Sequence, residues 1–269
     1  MADGILSQDI TAYYAQGREQ ARLTNGVPIE MVRTQELILR HAPPPPAVVY
    51  DIGGGTGPYA FWLAEQGYAV HLQDAMPLHI EQATALASAH APLASISVGD
   101  ARHLDLPDSS ADMVLLLGPL YHLTEREERV QALREAYRLL RVGGIVLAAA
   151  ISRYATLLDG LNRGFFEDPT FVEIVRSDLA TGQHRNQMPD AHYFTTAYLH
   201  RPEELQQESP DAGFQDATLY AIEGPHSIQE HWDDLVLRER HLEALRWIEC
   251  DPLLMAVSSH ILVVGHKEH

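Results

Sequence analysis

The sequence predicts an α/β fold with a doubly wound, mostly parallel sheet of seven strands. Three observations indicate this class. Short apolar runs alternate with segments of helical period, the connections between them are short, and a glycine-rich turn directly follows the first apolar run. Such alternation is typical of parallel sheets, in which a helix leads from each buried strand to the next.

Seven apolar runs predict the strands, five in the first part of the chain and two near its end. Alternating or continuous apolar residues mark each run, and polar or glycine-rich segments bound it. The runs are Val48–Ile52, Tyr68–Gln73, Ser95–Val98, Met113–Leu117, Ile145–Ala150, Leu219–Glu223 and Ile261–Val264.

Segments of helical period separate these runs. Thr124 and Glu127 form a capping-box pattern that predicts the start of one helix, and Gly143-Gly144 predicts its end. A later helix is predicted from the spacing of Ile228, Trp232, Leu235, Leu242 and Leu245.

The pattern divides one overall domain into four segments. Helical spacing near the start predicts an N-terminal cover, and the loss of a clean period after about residue 152 predicts a cap or lid. The segments are the N-terminal helical cover (1–42), the ligand-binding core (43–152), the cap (153–200) and the C-terminal part of the core sheet (201–269).

Composition is consistent with a single globular domain. The chain has 269 residues, of which 46% are hydrophobic and 21% charged. No apolar stretch approaches the roughly 18 residues of a membrane helix, and no signal-peptide pattern is present at the start, so we expect a cytoplasmic protein. The single cysteine, Cys250, excludes an internal disulfide.

The charge balance argues against polyanionic partners. Lysine and arginine total 19 against 37 aspartates and glutamates, which gives a formal charge of −18 at pH 7. Nucleic acids and anionic lipid surfaces are held mainly by lysine and arginine, so neither is an expected partner. A small molecule is the predicted partner, and the oligomeric state is left open.

The strongest local signal is the run Asp51-Ile52-Gly53-Gly54-Gly55-Thr56-Gly57. Glycines that lead from a strand into a helix let the backbone approach a ligand closely, while the N–H groups of the helix face it. The run by itself leaves alternatives open. A tight turn without a ligand is one, and a dinucleotide site is another, because Gly55-x-Gly57-x-x-Ala60 satisfies that pattern.

Further acids narrow the choice. Asp74 closes the second strand 21 residues after Gly53, where a carboxylate can accept hydrogen bonds from two ribose hydroxyls. Dinucleotide enzymes share this feature, so Asp74 does not separate the two classes of protein. The discriminating acids are Asp51 in the first strand and Asp100 after the third, in Val98-Gly99-Asp100-Ala101-Arg102. With them the sequence resembles the class I S-adenosylmethionine-dependent methyltransferases, whose glycine motif reads D-h-G-x-G-x-G.

The resemblance runs from about Tyr13 to the C-terminus and is strongest over residues 48–151. It implies a Rossmann-like fold with S-adenosylmethionine as the cofactor. It places Asp51 near the amino group of the methionine moiety and Asp100 near the adenine amino group. The residues that match cofactor-binding positions are Tyr13, Tyr14, Arg33, Asp51, Gly53, Gly55, Gly57, Asp74, Ala75, Asp100, Ala101, Leu117 and Gly118, and those that match substrate-binding positions are Tyr121, Tyr193 and Phe194.

His122 is the candidate catalytic residue. It follows the predicted fourth strand, in the crevice beyond the carboxyl ends where doubly wound folds bind ligands. An imidazole titrates near neutrality, so it can take a proton from a hydroxyl or an amine. Three roles stay open for His122: general base, positioning of substrate or cofactor, and structure.

Fifteen histidines do not predict a metal site. No H-E-x-x-H or comparable ligand spacing occurs, and the histidines other than His122 are expected at the surface.

The predicted function is methyl transfer from S-adenosylmethionine to a small-molecule acceptor, with oxygen, nitrogen and carbon acceptors all open. One alternative is a nicotinamide-dependent oxidoreductase, although its expected Tyr–Lys pair is hard to place because the sole lysine is Lys267. Another is a non-catalytic protein that retains the fold and the cofactor pocket.

Overall fold

The computed structural model describes residues 6–15, 29–186, 193–225 and 234–269. Its α-helices are α1 (Gln8–Tyr14), α2 (Ile29–His41), α3 (Pro58–Glu65), α4 (Pro77–Leu86), α5 (Pro119–His122), α6 (Arg126–Leu139), α7 (Ala155–Arg163), α8 (Pro169–Thr181), α9 (Pro202–Asp211), α10 (Leu235–Ile248) and α11 (Pro252–Met255). Its strands are β1 (Val48–Ile52), β2 (Ala69–Asp74), β3 (Ser95–Val98), β4 (Ala111–Leu116), β5 (Leu140–Ser152), β6 (Gln183–His184), β7 (Ala197–His200), β8 (Thr218–Ala221) and β9 (His260–His266).

Seven of these strands form the predicted doubly wound sheet. Strands β3, β2, β1, β4 and β5 lie side by side in that order and are all parallel. Strand β9 pairs antiparallel with β5, and β8 pairs antiparallel with β9. The predicted fold class is therefore confirmed, with the C-terminal strands completing the sheet beside β5.

The sheet is buried on both faces, as its apolar strands predict. Strand β4 shows the arrangement, because successive side chains of a strand point to opposite faces. Val114 and Leu116 pack in the layer that contains α6 and α9, while Met113 and Leu115 pack in the layer that contains α2, α3 and α4. All four side chains are fully buried. Two helical layers thus hold the carboxyl ends of the central strands in place.

The predicted cap region contains regular elements that are attached to the sheet. Strand β7 continues the sheet at the end of β5 through the pairs Ile151–Leu199 and Ser152–His200, and β6 pairs antiparallel with β7. Helices α7 and α8 lie between β5 and β6 in the chain. This attachment brings the cap to the edge of the sheet where the parallel strands end. The boundaries of the four segments stay predictions.

Both predicted boundaries of α6 are wrong. The helix begins at Arg126 after Glu125, which makes no side-chain cap, and the carbonyl of Thr124 instead accepts hydrogen bonds from other side chains. It ends at Leu139, and Gly143 lies within β5 because its N–H donates to the carbonyl of Lys267 at the other end of the chain. Pairing with a distant segment overrides the local glycine signal.

The described part of the predicted late helix begins after its N-cap Asp234. Helix α10 covers Leu235–Ile248, while Ile228 and Trp232 lie outside the described residues. Among the helices that are described, none is long and apolar enough to cross a bilayer.

Candidate active site

A cleft of about 1340 Å³, counted to its open mouth, lies beyond the carboxyl ends of β1, β2 and β4. The strand order reverses between β1 and β4, and doubly wound sheets bind ligands at such a point. The predicted site residues that line the cleft are Tyr14, Asp51, Gly53, Gly55, Asp74, Ala75, Asp100, Ala101, Leu117, Gly118, Tyr121 and His122.

The glycine turn forms the floor of the cleft. Gly53 and Gly55 have φ angles of +72° and +60°, which favour glycine. A Cβ on Gly53 would lie 2.5 Å from the Pro119 ring, and a Cβ on Gly118 would lie 2.8 Å from the Gly53 carbonyl. A Cβ on Gly55 would meet nothing within 4 Å. Gly53 and Gly118 are therefore required for packing, whereas Gly55 leaves open space at the cleft.

Asp51 is a buried acid whose carboxylate meets no hydrogen-bond partner of ordinary geometry among the described residues. Its side chain is 0% exposed, and neither carboxylate oxygen makes a hydrogen bond of ordinary geometry. Burial, and then the nearby Asp74 carboxylate, raise the pKa of Asp51 to about 7. Buried polar groups are normally paired, so a carboxylate left unpaired at a cleft calls for a cationic ligand group.

Asp74 is held firmly at the end of β2. Its carboxylate accepts the backbone N–H groups of Gly55 and Met76, each at 2.8 Å, and contacts His79 Nδ1 at 3.0 Å. The contact with Gly55 joins the end of β2 to the glycine turn. Asp74 therefore organises the floor of the cleft as well as lining it.

Asp100 is paired with an arginine on the same loop. Arg102 donates from its guanidinium to both oxygens of Asp100, at 2.7–3.1 Å, and also pairs with Glu128. Burial alone would raise the pKa of Asp100, but these hydrogen bonds outweigh it and lower the pKa below its ordinary value. The wall of the cleft at Asp100 is thus an ion pair, which the sequence pattern did not reveal.

His122 lies at the end of α5 among aromatic rings. Its Nε2 is 2.6 Å from the Tyr14 hydroxyl, and its Nδ1 is 3.4 Å from the Thr196 carbonyl. The rings of Tyr121 and Phe194 lie 4.7 and 5.9 Å away, between centroids. Burial lowers the pKa of His122 to about 4, so the imidazole is neutral at pH 7.

The N-terminal cover reaches this point through α1. Tyr14 packs its ring edge-on against His79, with centroids 5.2 Å apart, and Thr196 Oγ1 donates to Asp9 on the same helix. Helix α1 therefore bridges the acid-bearing side of the cleft, at His79, and the side that carries His122.

Arg33 lies away from the predicted cofactor site. It is fully buried, pairs with Glu36 and Glu249, and donates to the Ile222 carbonyl. It therefore serves to pack α2 against the C-terminal part of the chain. The partners that decide this lie near residues 222 and 249, far from Arg33 in the sequence.

Four other predicted residues also lie outside the cleft lining. Tyr13 packs edge-on against Phe194, and Phe194 stacks near His122. Both rings therefore support His122 without lining the cleft. Tyr193 donates its hydroxyl to Asp168 within the cap. Gly57 caps the start of α3 with a φ of +89°.

The expectation that the remaining histidines lie at the surface is wrong for at least three of them. His79, His184 and His200 are all less than a tenth exposed, and each contacts a carboxylate: Asp74, Asp178 and Glu208 respectively. His79 follows Asp74 by five residues in the first turn of α4, and this spacing after a strand-ending acid is the signal that could have found it.

Sequence reasoning also missed Glu30 and Met31 of α2, which line the cleft. Within the described part of the chain, Glu30, Glu223 and His260 place ligand atoms within 4.8 Å of one another. Glu223 already accepts from the His260 ring, the His260 N–H and the Ser258 hydroxyl. The pattern H-E-x-x-H could not have revealed this group, because its members come from three distant segments.

The residues present fit a cofactor of the predicted kind. An unpaired, fully buried carboxylate at Asp51 suits an amino group, and the open space at Gly55 permits close approach to the backbone. Strand order and cleft together define a class I methyltransferase fold.

Residues 49–144 match the family model described as Methyltransferase domain. The match bears out the predicted assignment to the S-adenosylmethionine-dependent methyltransferases for this segment, an enzyme domain whose cofactor is S-adenosylmethionine. The oxidoreductase alternative is thereby set aside. No curated protein matches the chain in sequence.

Solved structures with the same fold include three methyltransferases. One, from Thermotoga maritima and named as a possible histamine N-methyltransferase, is 16% identical with a TM-score of 0.57, over 96% of this chain and 98% of that one. Another, from Haloferax volcanii in complex with the Trm112 methyltransferase activator, is 19% identical with a TM-score of 0.59, over 98% and 100%. Phosphoethanolamine N-methyltransferase 2 of Haemonchus contortus, bound to phosphomonomethylethanolamine and S-adenosylhomocysteine, is 16% identical with a TM-score of 0.56, over 88% and 53%. At these identities the likeness shows the shared fold.

Proposed function

We propose that the chain methylates a small-molecule acceptor that enters the cleft beside Tyr14 and His122. The observation that carries this proposal is the position of Tyr14, whose hydroxyl is 2.6 Å from His122 Nε2 while its ring packs against His79. A helix held over the cleft in this way encloses a space suited to a metabolite. It leaves little room for a nucleic-acid duplex or a folded protein surface.

The charges that line the cleft support a neutral or cationic acceptor. Glu30, Asp51, Asp74 and Asp100 line it, and the arginine among the described lining residues, Arg102, already pairs with Asp100. A polyanionic acceptor would face these carboxylates and the net charge of −18. Two of the neighbouring structures are named as N-methyltransferases, so amines are the first acceptors to test.

The cofactor is proposed to lie along the glycine turn. Asp51 would pair with the amino group of the methionine moiety, Asp74 would accept from the ribose hydroxyls, and the loop of Asp100 would face the adenine. When bound, S-adenosylmethionine supplies a methyl group on a positively charged sulfur, which a nucleophile attacks in line. The protein's part is then to align the acceptor with that methyl group and to exclude water.

Among the three roles left open for His122, the geometry favours positioning. A carbonyl can only accept, so His122 Nδ1 carries the proton toward Thr196 and Nε2 accepts from the Tyr14 hydroxyl. An imidazole whose pKa is lowered to about 4 is a weak base at pH 7. We infer that His122 fixes Tyr14, whose hydroxyl oxygen then orients an acceptor N–H or O–H.

The test is a screen for labelled product. The protein is incubated with S-adenosylmethionine labelled at the methyl group and, separately, with libraries of amines, of phenols and alcohols, and of carbon acids, with RNA, and with protein fractions. We expect label in a small molecule, detected by mass spectrometry. Label confined to RNA or protein would overturn the proposal. The Gly55→Val protein, in which cofactor binding should be abolished, controls for transfer that does not need the cofactor site.

A further inference from the structure

Arg129 of α6 is a buried arginine that the proposed mechanism does not use. Its side chain is 2% exposed. The guanidinium donates from Nε and Nη2 to Glu208 at 2.7–3.2 Å, and from Nη1 to the carbonyls of Leu123 and Thr124 at 3.0 Å each. It also lies 3.6 Å from the centre of the Tyr198 ring. All three nitrogens of this guanidinium are therefore hydrogen-bonded, and one of its faces lies over an aromatic ring.

These contacts join the two segments that hold His122. Leu123 and Thr124 directly follow His122 in the chain, so Arg129 binds the end of the turn that carries the imidazole. Tyr198 of β7 lies two residues after Thr196, whose carbonyl faces His122 Nδ1 at 3.4 Å. Arg129 thus connects the segment that follows His122 with the segment that follows Thr196.

Glu208 strengthens the connection to β7. Its Oε2, which also accepts from Arg129 Nε, contacts His200 Nε2 at 3.3 Å, and His200 is fully buried on that strand. Buried ion pairs add little stability compared with well-packed apolar residues, because both charges must leave water. The arrangement of Arg129, Glu208 and Tyr198 is better explained by the fixed geometry that it imposes on its neighbours.

We propose that Arg129 is a positioning residue for His122. By tying Leu123 and Thr124 to Tyr198 and Glu208, it keeps the imidazole proton on Nδ1, against Thr196, and leaves Nε2 to accept from Tyr14. The proposal rests on the proposed role of the Tyr14–His122 pair for its effect on catalysis. Its effect on the ring of His122 holds in the protein without ligands and can be measured separately.

The variant that tests it is Arg129→Lys. Lysine keeps the positive charge beside Glu208, but an ammonium cannot span the carboxylate, two carbonyls and the aromatic face as a planar guanidinium does. The matched control is Arg138→Lys on the same helix. Arg138 also pairs with a glutamate, Glu135, and donates to two carbonyls, but those belong to Leu104 and Leu106, away from His122.

Nitrogen-15 NMR of the His122 ring reports the tautomer directly. We expect Arg129→Lys to mix the two tautomers of His122 and to lower kcat about tenfold or more, while the Kd for S-adenosylhomocysteine stays unchanged. Arg138→Lys should behave like the wild type in all three measurements. An unchanged ring spectrum in Arg129→Lys would overturn the proposal. A changed His122 ring spectrum with a normal kcat in Arg129→Lys would support the positioning of His122 by Arg129. It would contradict the proposed function of the Tyr14–His122 pair.

A second variant covers the case in which Arg129→Lys fails to fold. Tyr198→Leu removes the stacking surface but leaves the ion pair between Arg129 and Glu208. We expect a smaller change of the same His122 ring signals. The wild-type ring spectrum in a folded Tyr198→Leu protein would contradict the proposal.

Discussion

The two walls of the cleft are built in opposite ways. The wall proposed to hold the cofactor, here the cofactor wall, is made by the glycine turn, Asp74 and His79, and its contacts are short in sequence: the Gly55 N–H reaches Asp74 across 19 positions, and His79 reaches Asp74 across five. The wall proposed to face the acceptor, here the acceptor wall, is made by Tyr14, His122 and Thr196. There, Tyr14 meets His122 across 108 positions, and His122 meets Thr196 across 74. The first wall follows from one strand–turn–helix unit and the next strand, whereas the second exists only when α1, α5 and the cap have packed together.

This difference predicts two kinds of response to substitution. Changes on the cofactor wall should act on the affinity for S-adenosylmethionine, because that wall is mostly backbone and fixed carboxylates. Changes on the acceptor wall should act on turnover and leave that affinity almost untouched. Variants that mix the two responses would break the comparison.

The largest effect is expected for Gly55→Val. The Cβ would enter the open space at the cleft, and the φ of +60° is strained for valine, so cofactor binding should be abolished in a folded protein. Gly143→Val is the matched control, since Gly143 also has a positive φ and open space but lies at the surface within β5. Calorimetric titration with S-adenosylhomocysteine measures both. Equal affinity in the two variants would remove the glycine turn from the cofactor site.

Next in size is His122→Ala on the acceptor wall. Loss of the acceptor for the Tyr14 hydroxyl should lower kcat about a hundredfold and leave the Kd for the cofactor within about twofold. His71→Ala serves as the control, because His71 is a partly buried histidine on β2 that bonds Ser95 outside the cleft. Steady-state kinetics with the true acceptor provides the measurement. Wild-type turnover in a folded His122→Ala enzyme would leave His122 with a structural role.

Asp51→Asn should separate stability from binding on the cofactor wall. The pKa of Asp51 is raised from 3.8 to about 7. The stability that its protonated carboxyl contributes to the fold is therefore fully present below about pH 3.8 and is lost as the pH rises through about 7. The amide does not ionise, and the unliganded variant should gain roughly 2–4 kcal/mol at pH 8 but little at pH 4. Its affinity for the cofactor should fall about tenfold.

Urea denaturation at the two pH values and calorimetric titration test this pair of effects. Asp178→Asn is the control, because Asp178 is equally buried but pairs with His184 outside the cleft. It should lose stability and bind the cofactor normally. If Asp51→Asn leaves the affinity for the cofactor unchanged, Asp51 does not pair with the amino group of the methionine moiety.

The smallest effect concerns the pH dependence of turnover. The pKa of His122 is lowered from 6.5 to about 4, so its neutral form stabilises the fold fully above about pH 6.5, and this contribution is lost as the pH falls through about 4. Turnover should therefore show no His122 ionisation between about pH 5 and pH 8. The pH profile of kcat and the titration of the His122 ring by NMR check this. An ionisation near 6.5 that His122→Ala abolishes would restore the general-base role.

The elements that the sequence predicted best are those whose signal is local. Strand β3 has the predicted bounds, and β1 and the glycine turn also lie where the pattern placed them. Short apolar runs in a parallel sheet are buried on both faces, so their pattern depends little on which partners surround them. The end of α6 was misplaced because the pairing of Gly143 with Lys267 involves residues more than a hundred positions apart.

Side chains that pair inside the protein were assigned least well. Arg33 looked like a cofactor ligand, yet Glu249 and the Ile222 carbonyl bind it in the packing of α2. His200 looked like a surface residue, yet Glu208 pairs with it in the interior. Charge and residue type alone cannot distinguish a solvated side chain from a buried pair, because the outcome depends on whether packing supplies a partner.

By itself, the sequence determined the doubly wound sheet, the glycine turn and the acids at the strand ends, and the cofactor class was implied by their resemblance to a known family. These features depend on strand periodicity and on backbone geometry within some thirty residues. Only the tertiary structure decided that Asp51 is unpaired, that Arg102 holds Asp100, and that Tyr14 of the N-terminal helix meets His122. The physical reason is that hydrogen bonds, desolvation and pKa values act between atoms that are close in space, and for the acceptor wall that proximity is created by packing alone.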